Sequence, residues 1–173
     1  CAGLMMLPDR RTTFTDAFTA QDTGRRTHLY HPGTSGDLTP DHFDFSTSSA
    51  RILHLGLPGL HAQMDAPWGD DPNGWVTVLK AARAAGLKTN FEMCSLPAEG
   101  LHRIMSPCVA HLDYLIVNEF EIAAIAARPI GLGQDADIDA CLANASMVLD
   151  SGAMDLVIVH FPGGAVAATR QGA

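Results

Sequence analysis

One stretch of the chain constrains the fold more than any other: an apolar run, an abrupt polar stop and an apolar segment with helical spacing. The run covers residues 113–117, the stop is Asn-Glu-Phe-Glu at 118–121, and the helical segment continues to Ala127. This order predicts a buried strand that passes directly into a helix. In an open parallel sheet such a junction lies at the carboxyl end of a strand, where the ligands of these sheets bind.

Strand and helix patterns alternate from residue 51 onward. They predict strands at 51–57, 87–92, 113–117 and 156–159, and helices at 72–85, 97–105, 119–127 and 135–149. For the first of these helices we expect Asp71 or its neighbour as N-cap, with Pro72 in the first turn. The alternation predicts an α/β fold with right-handed crossovers and a mostly parallel sheet that is covered on both faces.

Residues 3–31 have a different pattern. Phe14 and Phe18 share one face of a predicted strand, Thr13 and Thr15 share the other, and a second strand returns at 26–30 after a glycine-containing turn. Both faces of this hairpin carry polar groups, so it is unsuited to the centre of a core. We expect a small β lid or an edge.

Composition narrows the class of protein. With 173 residues and 47% hydrophobic residues, the chain is long enough for a single α/β domain with a real core. A net charge of −8 argues against a nucleic-acid surface, and no apolar run approaches the ~20 residues of a membrane span. The four cysteines lack metal-binding spacing, so we expect a cytoplasmic protein with reduced thiols.

The chain starts at Cys1 and stops soon after a strand, so we expect it to be incomplete at both ends.

Polar residues end several of the predicted strands. Asn90 and Glu92 lie at the end of one strand, Asn118 and Glu121 follow the next, and His160 ends a third. Amide and carboxylate oxygens gathered at one edge of a sheet suit Mg²⁺. Such a metal would also offset the negative charge that otherwise repels a nucleotide.

Each of these residues also has a purely structural interpretation. Asn118 and Glu121 have the spacing of a capping box, which is compatible with a ligand-binding role. Asn90 and Glu92 fit a solvated strand end, and His160 fits a partly buried histidine. The pair at 163–164 fits an ordinary turn or a backbone site for phosphate. Neither a Walker loop nor a dinucleotide-binding fingerprint occurs in the chain.

The segment at 113–121, with Asn118 and Glu121, resembles the NxxE motif of the ribokinase/PfkB-type carbohydrate kinases. The resemblance covers nearly the whole chain, in the order and rough spacing of that family, at residues 24–33, 52–58, 89–92 and 156–164. It implies a ribokinase-like three-layer sandwich with a small β lid formed by residues 3–31. It also implies transfer of a phosphoryl group from ATP to a sugar hydroxyl, with Mg²⁺.

The resemblance also implies roles for individual residues. Asn118 would lie near the phosphates, Glu121 would organise Mg²⁺ through water, and the lid would cover the sugar and exclude water. We therefore expect nucleotide contacts from Asn118, Glu121, His160, Gly164 and Asn90, metal contacts from Glu121 and Glu92, and sugar contacts from Thr13, Thr15 and Leu57. A homodimer through the lid strands is a further expectation, since exposed edge strands pair readily.

The chain departs from the family at three places. The catalytic GAGD signature is absent, and Gly152-Ala-Met-Asp155 precedes a predicted strand rather than opening a helix. The amino-terminal Gly-Gly motif that binds sugar is absent too, and Phe161 stands where the family has glycine. We therefore expect the catalytic base beyond Ala173 and no catalysis by this chain alone. The alternatives are a non-catalytic sugar- or nucleotide-binding protein and a nucleoside kinase of the same family.

Overall fold

The computed structural model describes residues 6–94, 96–131 and 136–171. Its strands are β1 (Phe14–Thr19), β2 (Arg26–His31), β3 (Ile52–Leu55), β4 (Lys88–Phe91), β5 (Tyr114–Asn118), β6 (Leu156–Phe161) and β7 (Gly164–Thr169). Its helices are α1 (Gly74–Ala84), α2 (Ala98–Met105), α3 (Glu119–Ile125) and α4 (Ile138–Asp150). The predicted alternation is confirmed, although the predicted start of the last helix, at residue 135, lies outside the described residues.

A five-stranded sheet organises the chain, in the order β3-β4-β5-β6-β7. The first four strands are parallel, and β7 returns antiparallel to β6. A mostly parallel sheet is thus confirmed. Because these four strands are parallel, their carboxyl ends lie at one edge of the sheet.

Strand alternation decides which side of this sheet is buried. Leu115, Val117 and Val159 point to one face and are fully buried beneath the helices. On the opposite face Ile52 is 52% exposed and Ile116 is 46% exposed. Within the described residues the helices therefore cover one face, and the cover expected on the second face is not among them.

Helix α1 begins two residues later than the sequence predicts. The buried Asn73 is its N-cap, and its side-chain oxygen accepts a hydrogen bond from the Val76 amide at 3.0 Å. The prediction of Asp71 as the cap is wrong, because the Asp71 carboxylate instead accepts hydrogen bonds from Thr77 and Lys80. Asn73 also donates to the carbonyl of Ile104, a contact that local sequence does not reveal.

A buried carboxylate joins three strands at the amino-terminal edge of the sheet. Asp113 is 4% exposed and accepts hydrogen bonds from Lys88 Nζ at 2.9 Å and from the amide and hydroxyl of Thr89. Lys88 also donates to Asp155, just before β6. These bonds hold the starts of β4, β5 and β6 in register.

Strands β1 and β2 form a separate antiparallel hairpin, as predicted, with every residue except Tyr30 exposed. Its outer face carries Phe14, Phe18 and Leu29, which are 50–59% exposed. On its other face the Tyr30 hydroxyl donates to the carbonyl of Leu60 and so ties the hairpin to the loop after β3. The hairpin is therefore attached to the body of the protein at its base rather than buried in it.

The helices of the described ranges are too short or too polar to cross a membrane. Within those ranges Cys94, Cys108 and Cys141 form no disulfide bond, and Cys1 lies outside the described residues. Burial raises the pKa of the Cys108 thiol to about 12, which suits a packing residue.

Candidate functional site

A cavity of about 380 Å³ opens at the carboxyl-terminal edge of the sheet. We call it the rim cavity; it is lined by His54, Asn90, Glu92, Met93, Ile116, Asn118, Glu121 and His160. The structure thus brings together five of the residues that the sequence singles out. It lies where ligands of open α/β sheets bind.

Register explains why these side chains converge. His54 pairs with Asn90 across β3 and β4, and Asn118 pairs with His160 across β5 and β6. Paired residues of neighbouring strands point to the same side of a sheet. All four therefore lie on the open face, and the first turn of α3 brings Glu121 over them.

The predicted capping box is present at the start of α3. The Asn118 side-chain oxygen accepts a hydrogen bond from the Glu121 amide at 2.9 Å, and Glu121 Oε2 accepts one from the Asn118 amide at 2.9 Å. Both side chains nevertheless line the rim cavity. The side-chain NH2 group of Asn118 and the Oε1 atom of Glu121 take no part in these two bonds. The cap therefore holds both residues in position while leaving atoms of each for a ligand.

The surroundings of Glu121 disfavour the charged form of its carboxyl group. Burial raises the pKa of its carboxyl group, opposed by the hydrogen bond from the Asn118 amide and by His160. The nearby carboxylates of Glu119 and Glu92 raise the pKa further. A cation at this edge would relieve the repulsion between carboxylates.

His54 is a residue that the sequence analysis missed. Its Nε2 lies 2.9 Å from Glu92 Oε2, and its Nδ1 lies 2.9 Å from Asn90 Nδ2. The available signal was its position, a polar residue one place before the end of an apolar strand. That signal alone does not distinguish a site residue from a solvated strand end.

The chemistry of the lining bears on a metal. The described residues contain no group of three His, Cys, Asp or Glu side chains close enough to enclose a metal ion. The lining does offer amide and carboxylate oxygens, which suit Mg²⁺, an ion that keeps several waters and takes few protein ligands. The residues therefore fit a Mg²⁺ held through water and phosphate, and not one enclosed by protein.

A second cavity of about 410 Å³ lies beside the first, lined by Asn118, Glu119, Phe120, His160, Phe161 and Pro162. Asn118 and His160 border both spaces, so His160 stands between them. The structure exposes His160, in contrast to the partly buried histidine considered above. Gly164 pairs with Phe161 in the tight turn between β6 and β7 and lines neither cavity.

The residues expected near the sugar lie away from the rim cavity. The Thr13 hydroxyl donates to the carbonyl of Pro32 at 2.6 Å and accepts a hydrogen bond from the Ser35 amide. Thr15 pairs with Tyr30 on the hairpin, and Leu57 is half-buried in the loop after β3. Their contact with a substrate stays a prediction.

Asp155 lies at the opposite edge of the sheet from the rim cavity. It precedes β6 and pairs with Lys88 at 2.9 Å, beside the buried Asp113. A base at that edge is too far from the rim to act there.

Comparison with known proteins identifies the family. Over residues 1–173 the sequence matches the family described as pfkB family carbohydrate kinase. The chain belongs to this family. No curated protein sequence matches the chain.

Solved structures of carbohydrate kinases have a similar fold. Ribokinase from Giardia lamblia superposes with a TM-score of 0.70 at 16% identity, over 94% of this chain and 47% of that one. A PfkB protein from Polaromonas sp. JS666 superposes with a TM-score of 0.72 at 16% identity, over 99% of this chain and 55% of that one. Fructokinase with bound ATP from Xylella fastidiosa superposes with a TM-score of 0.63 at 19% identity, over 98% of this chain and 51% of that one. The ribokinase-like fold is thereby confirmed, and the chain spans about half the length of these relatives.

Proposed function

We propose that the complete protein containing this chain transfers the γ-phosphoryl group of ATP to a hydroxyl group of a sugar. Membership of the pfkB carbohydrate kinase family supports this proposal. The observation that carries the proposal is the rim cavity, where the Asn118–Glu121 capping box meets Asn90, Glu92 and His160.

In this proposal the rim cavity holds the phosphates and their metal. The side-chain NH2 group of Asn118 is available to donate to a phosphate oxygen, because the side-chain oxygen of Asn118 already accepts a hydrogen bond from the Glu121 backbone amide. Glu121 and Glu92 orient waters of a bound Mg²⁺. When bound, the metal would neutralise charge that develops on the phosphoryl oxygens during transfer.

The hairpin would close the other side of the sugar site. The Tyr30 hydroxyl binds the carbonyl of Leu60 and so attaches the hairpin to the loop after β3. The inner face of the hairpin also carries Thr15. A closed lid keeps water from competing with the sugar hydroxyl as phosphoryl acceptor. We place the catalytic base, an Asp, in the sequence that follows Ala173.

The test is a screen of the complete protein for ADP formation from ATP and Mg²⁺, with a panel of sugars and nucleosides. We expect turnover with a sugar and none without Mg²⁺. ATP binding without turnover on any acceptor would favour the non-catalytic binding protein instead. Sequencing the gene beyond Ala173 provides an independent check, because a GAGD signature at a helix start is expected within about 50 residues.

A nucleoside acceptor is the second candidate. A nucleoside kinase from Burkholderia thailandensis, solved in complex with inosine, has a similar fold with a TM-score of 0.55 at 15% identity. At that identity the likeness supports the fold alone. Turnover with nucleosides and none with sugars in the same screen would decide for this alternative.

We also propose that two copies associate through the outer face of the hairpin. Phe14, Phe18 and Leu29 expose apolar surface there, and an isolated two-stranded hairpin is marginally stable. Sedimentation of the complete protein should show a dimer, and Phe18→Ser together with Leu29→Ser should shift it to a monomer. A monomeric wild type at micromolar concentration would contradict this.

A further inference from the structure

The ring of His54 bridges two side chains of the neighbouring strand. Its Nε2 lies 2.9 Å from Glu92 Oε2, and its Nδ1 lies 2.9 Å from the Asn90 side-chain amide. Both partners line the rim cavity. His54 is thus the one residue of β3 that contacts both oxygen-bearing side chains at the end of β4.

Chemistry dictates the direction of each hydrogen bond. A carboxylate only accepts, so Nε2 must carry a proton and donate to Glu92. In a neutral ring Nδ1 is then an acceptor, so Asn90 must present its Nδ2 to the ring. The Asn90 side-chain oxygen is thereby turned away from His54.

That amide oxygen is an unusual atom. It is buried and has no hydrogen-bond partner in the part of the chain that the structure describes. A buried acceptor without a partner costs about 1–3 kcal/mol, so other contacts of Asn90, such as its bond to His54, must hold the side chain in this orientation. The acceptors that face the cavity are the carboxylates of Glu92 and Glu121.

We propose that His54 is a positioning residue, which fixes Asn90 and orients Glu92 so that the free carboxylate oxygen of Glu92 receives the waters of a bound Mg²⁺. The inference rests on the proposed function and deepens it, since it assigns to β3 a role in the metal-nucleotide site. Residues that hold a metal ligand in place typically change metal affinity 10–100-fold when mutated.

Two substitutions separate the two contacts of the ring. His54→Gln keeps a donor near the position of Nε2 and can still bind Glu92. His54→Asn keeps an acceptor near the position of Nδ1 and can still bind Asn90, but it no longer reaches Glu92. Ile52→Gln is the matched control, because Ile52 lies on the same strand and the same open face, is 52% exposed and does not line the cavity.

The experiment measures Mn²⁺ binding to the complete protein with a non-hydrolysable ATP analogue, by the electron paramagnetic resonance of the free ion. We expect His54→Ala and His54→Asn to weaken binding about tenfold, His54→Gln to restore most of it, and Ile52→Gln to match the wild type. In a Glu92→Gln background His54→Ala should have little further effect, because the two residues act together. Melting temperatures check that each variant is folded.

The outcomes separate this inference from the proposed function. If the wild type binds Mn²⁺ with the analogue but His54→Ala binds equally well, the positioning role is wrong and the kinase proposal stands. Additive losses in the double variant would also overturn it. If the wild type neither binds Mn²⁺ with the analogue nor turns over ATP, the proposed function fails, and this inference falls with it.

Discussion

At the scale of single residues, Glu121 combines two demands. One carboxylate oxygen completes the capping box at the start of α3, and the side chain also lines the rim cavity. Burial and the carboxylates of Glu119 and Glu92 raise its pKa. The folded protein therefore holds the Glu121 proton more tightly than the unfolded chain does, and the stability gained in acid is lost as pH rises through the raised pKa.

Replacing Glu121 by glutamine should separate the two demands. Glutamine also completes a capping box and carries no charge. Glu121→Gln should therefore leave the melting temperature at pH 7 unchanged or slightly higher, while the Mg²⁺ concentration for half-maximal kinase activity rises about tenfold.

Glu121→Ala is the comparison variant for the cap. It removes the hydrogen bond that the Glu121 side chain accepts from the Asn118 backbone amide as well as the charge, so its stability should fall by about 1 kcal/mol. Normal Mg²⁺ dependence in Glu121→Gln would show that the residue serves the helix alone. Thermal unfolding and a Mg²⁺ titration of the same preparations measure both effects.

At the scale of elements, the parallel strands are held together at their amino ends by Asp113. Burial opposes its charge, yet hydrogen bonds from Lys88 and Thr89 prevail and lower the pKa of the carboxyl group. Such a group stabilises the fold above its unfolded pKa, near 4, and the contribution is lost as pH falls through its lowered folded pKa.

Asp113→Asn should therefore destabilise the chain at pH 7 by about 2 kcal/mol, because it removes a charged acceptor from three donors, Lys88 Nζ and the amide and hydroxyl of Thr89. The difference from the wild type should begin to shrink below about pH 4, where the carboxyl group becomes protonated in the unfolded chain, and it should be lost once the pH falls through the lowered folded pKa. Urea unfolding at pH 7 and at pH 3 measures this.

Asp155→Asn is the control variant, since Asp155 is about half exposed and binds the same Lys88. This substitution should lower the free energy of unfolding by less than about 1 kcal/mol. An equal loss in both variants would contradict the importance of burial.

At the scale of the whole molecule, the sheet and the hairpin differ in how they are stabilised. Strands β5 and β6 bury Leu115, Val117 and Val159 against the helices. The hairpin has no such core behind it and relies on contacts at its base, such as that of Tyr30. Local opening needs the least free energy where few apolar contacts are broken.

Amides of β1 and β2 should therefore exchange with solvent deuterium much faster than those of β5 and β6. Hydrogen exchange followed by mass spectrometry on the complete protein measures this directly. With ATP, Mg²⁺ and the sugar that the screen identifies, exchange in the hairpin should slow, because a lid closes over its substrate. In the variant that carries both Phe18→Ser and Leu29→Ser, protection of the hairpin equal to that of the central strands, without ligand, would contradict its role as a lid.

Several parts of this structure follow from local sequence. The Asn118–Glu121 cap is predictable because capping depends on residue types at fixed spacing. The same holds for the strands, whose apolar residues recur with the right period. The cap of α1 was misjudged, because Asn73 is favoured over Asp71 by a bond to Ile104, which is 31 residues away. His54 was missed for a similar reason, since its partners lie on another strand.

The sequence by itself determined the order of strands and helices, the exposed hairpin and the polar residues at the strand ends, since these depend on short-range spacing and hydrophobicity. Only the tertiary structure decided which of those residues meet. The parallel register set His54 beside Asn90 and Asn118 beside His160. It also left one face of the sheet open and placed Asp155 at the edge opposite the rim cavity. These outcomes depend on strand pairing over long stretches of chain, where no local pattern specifies the partner.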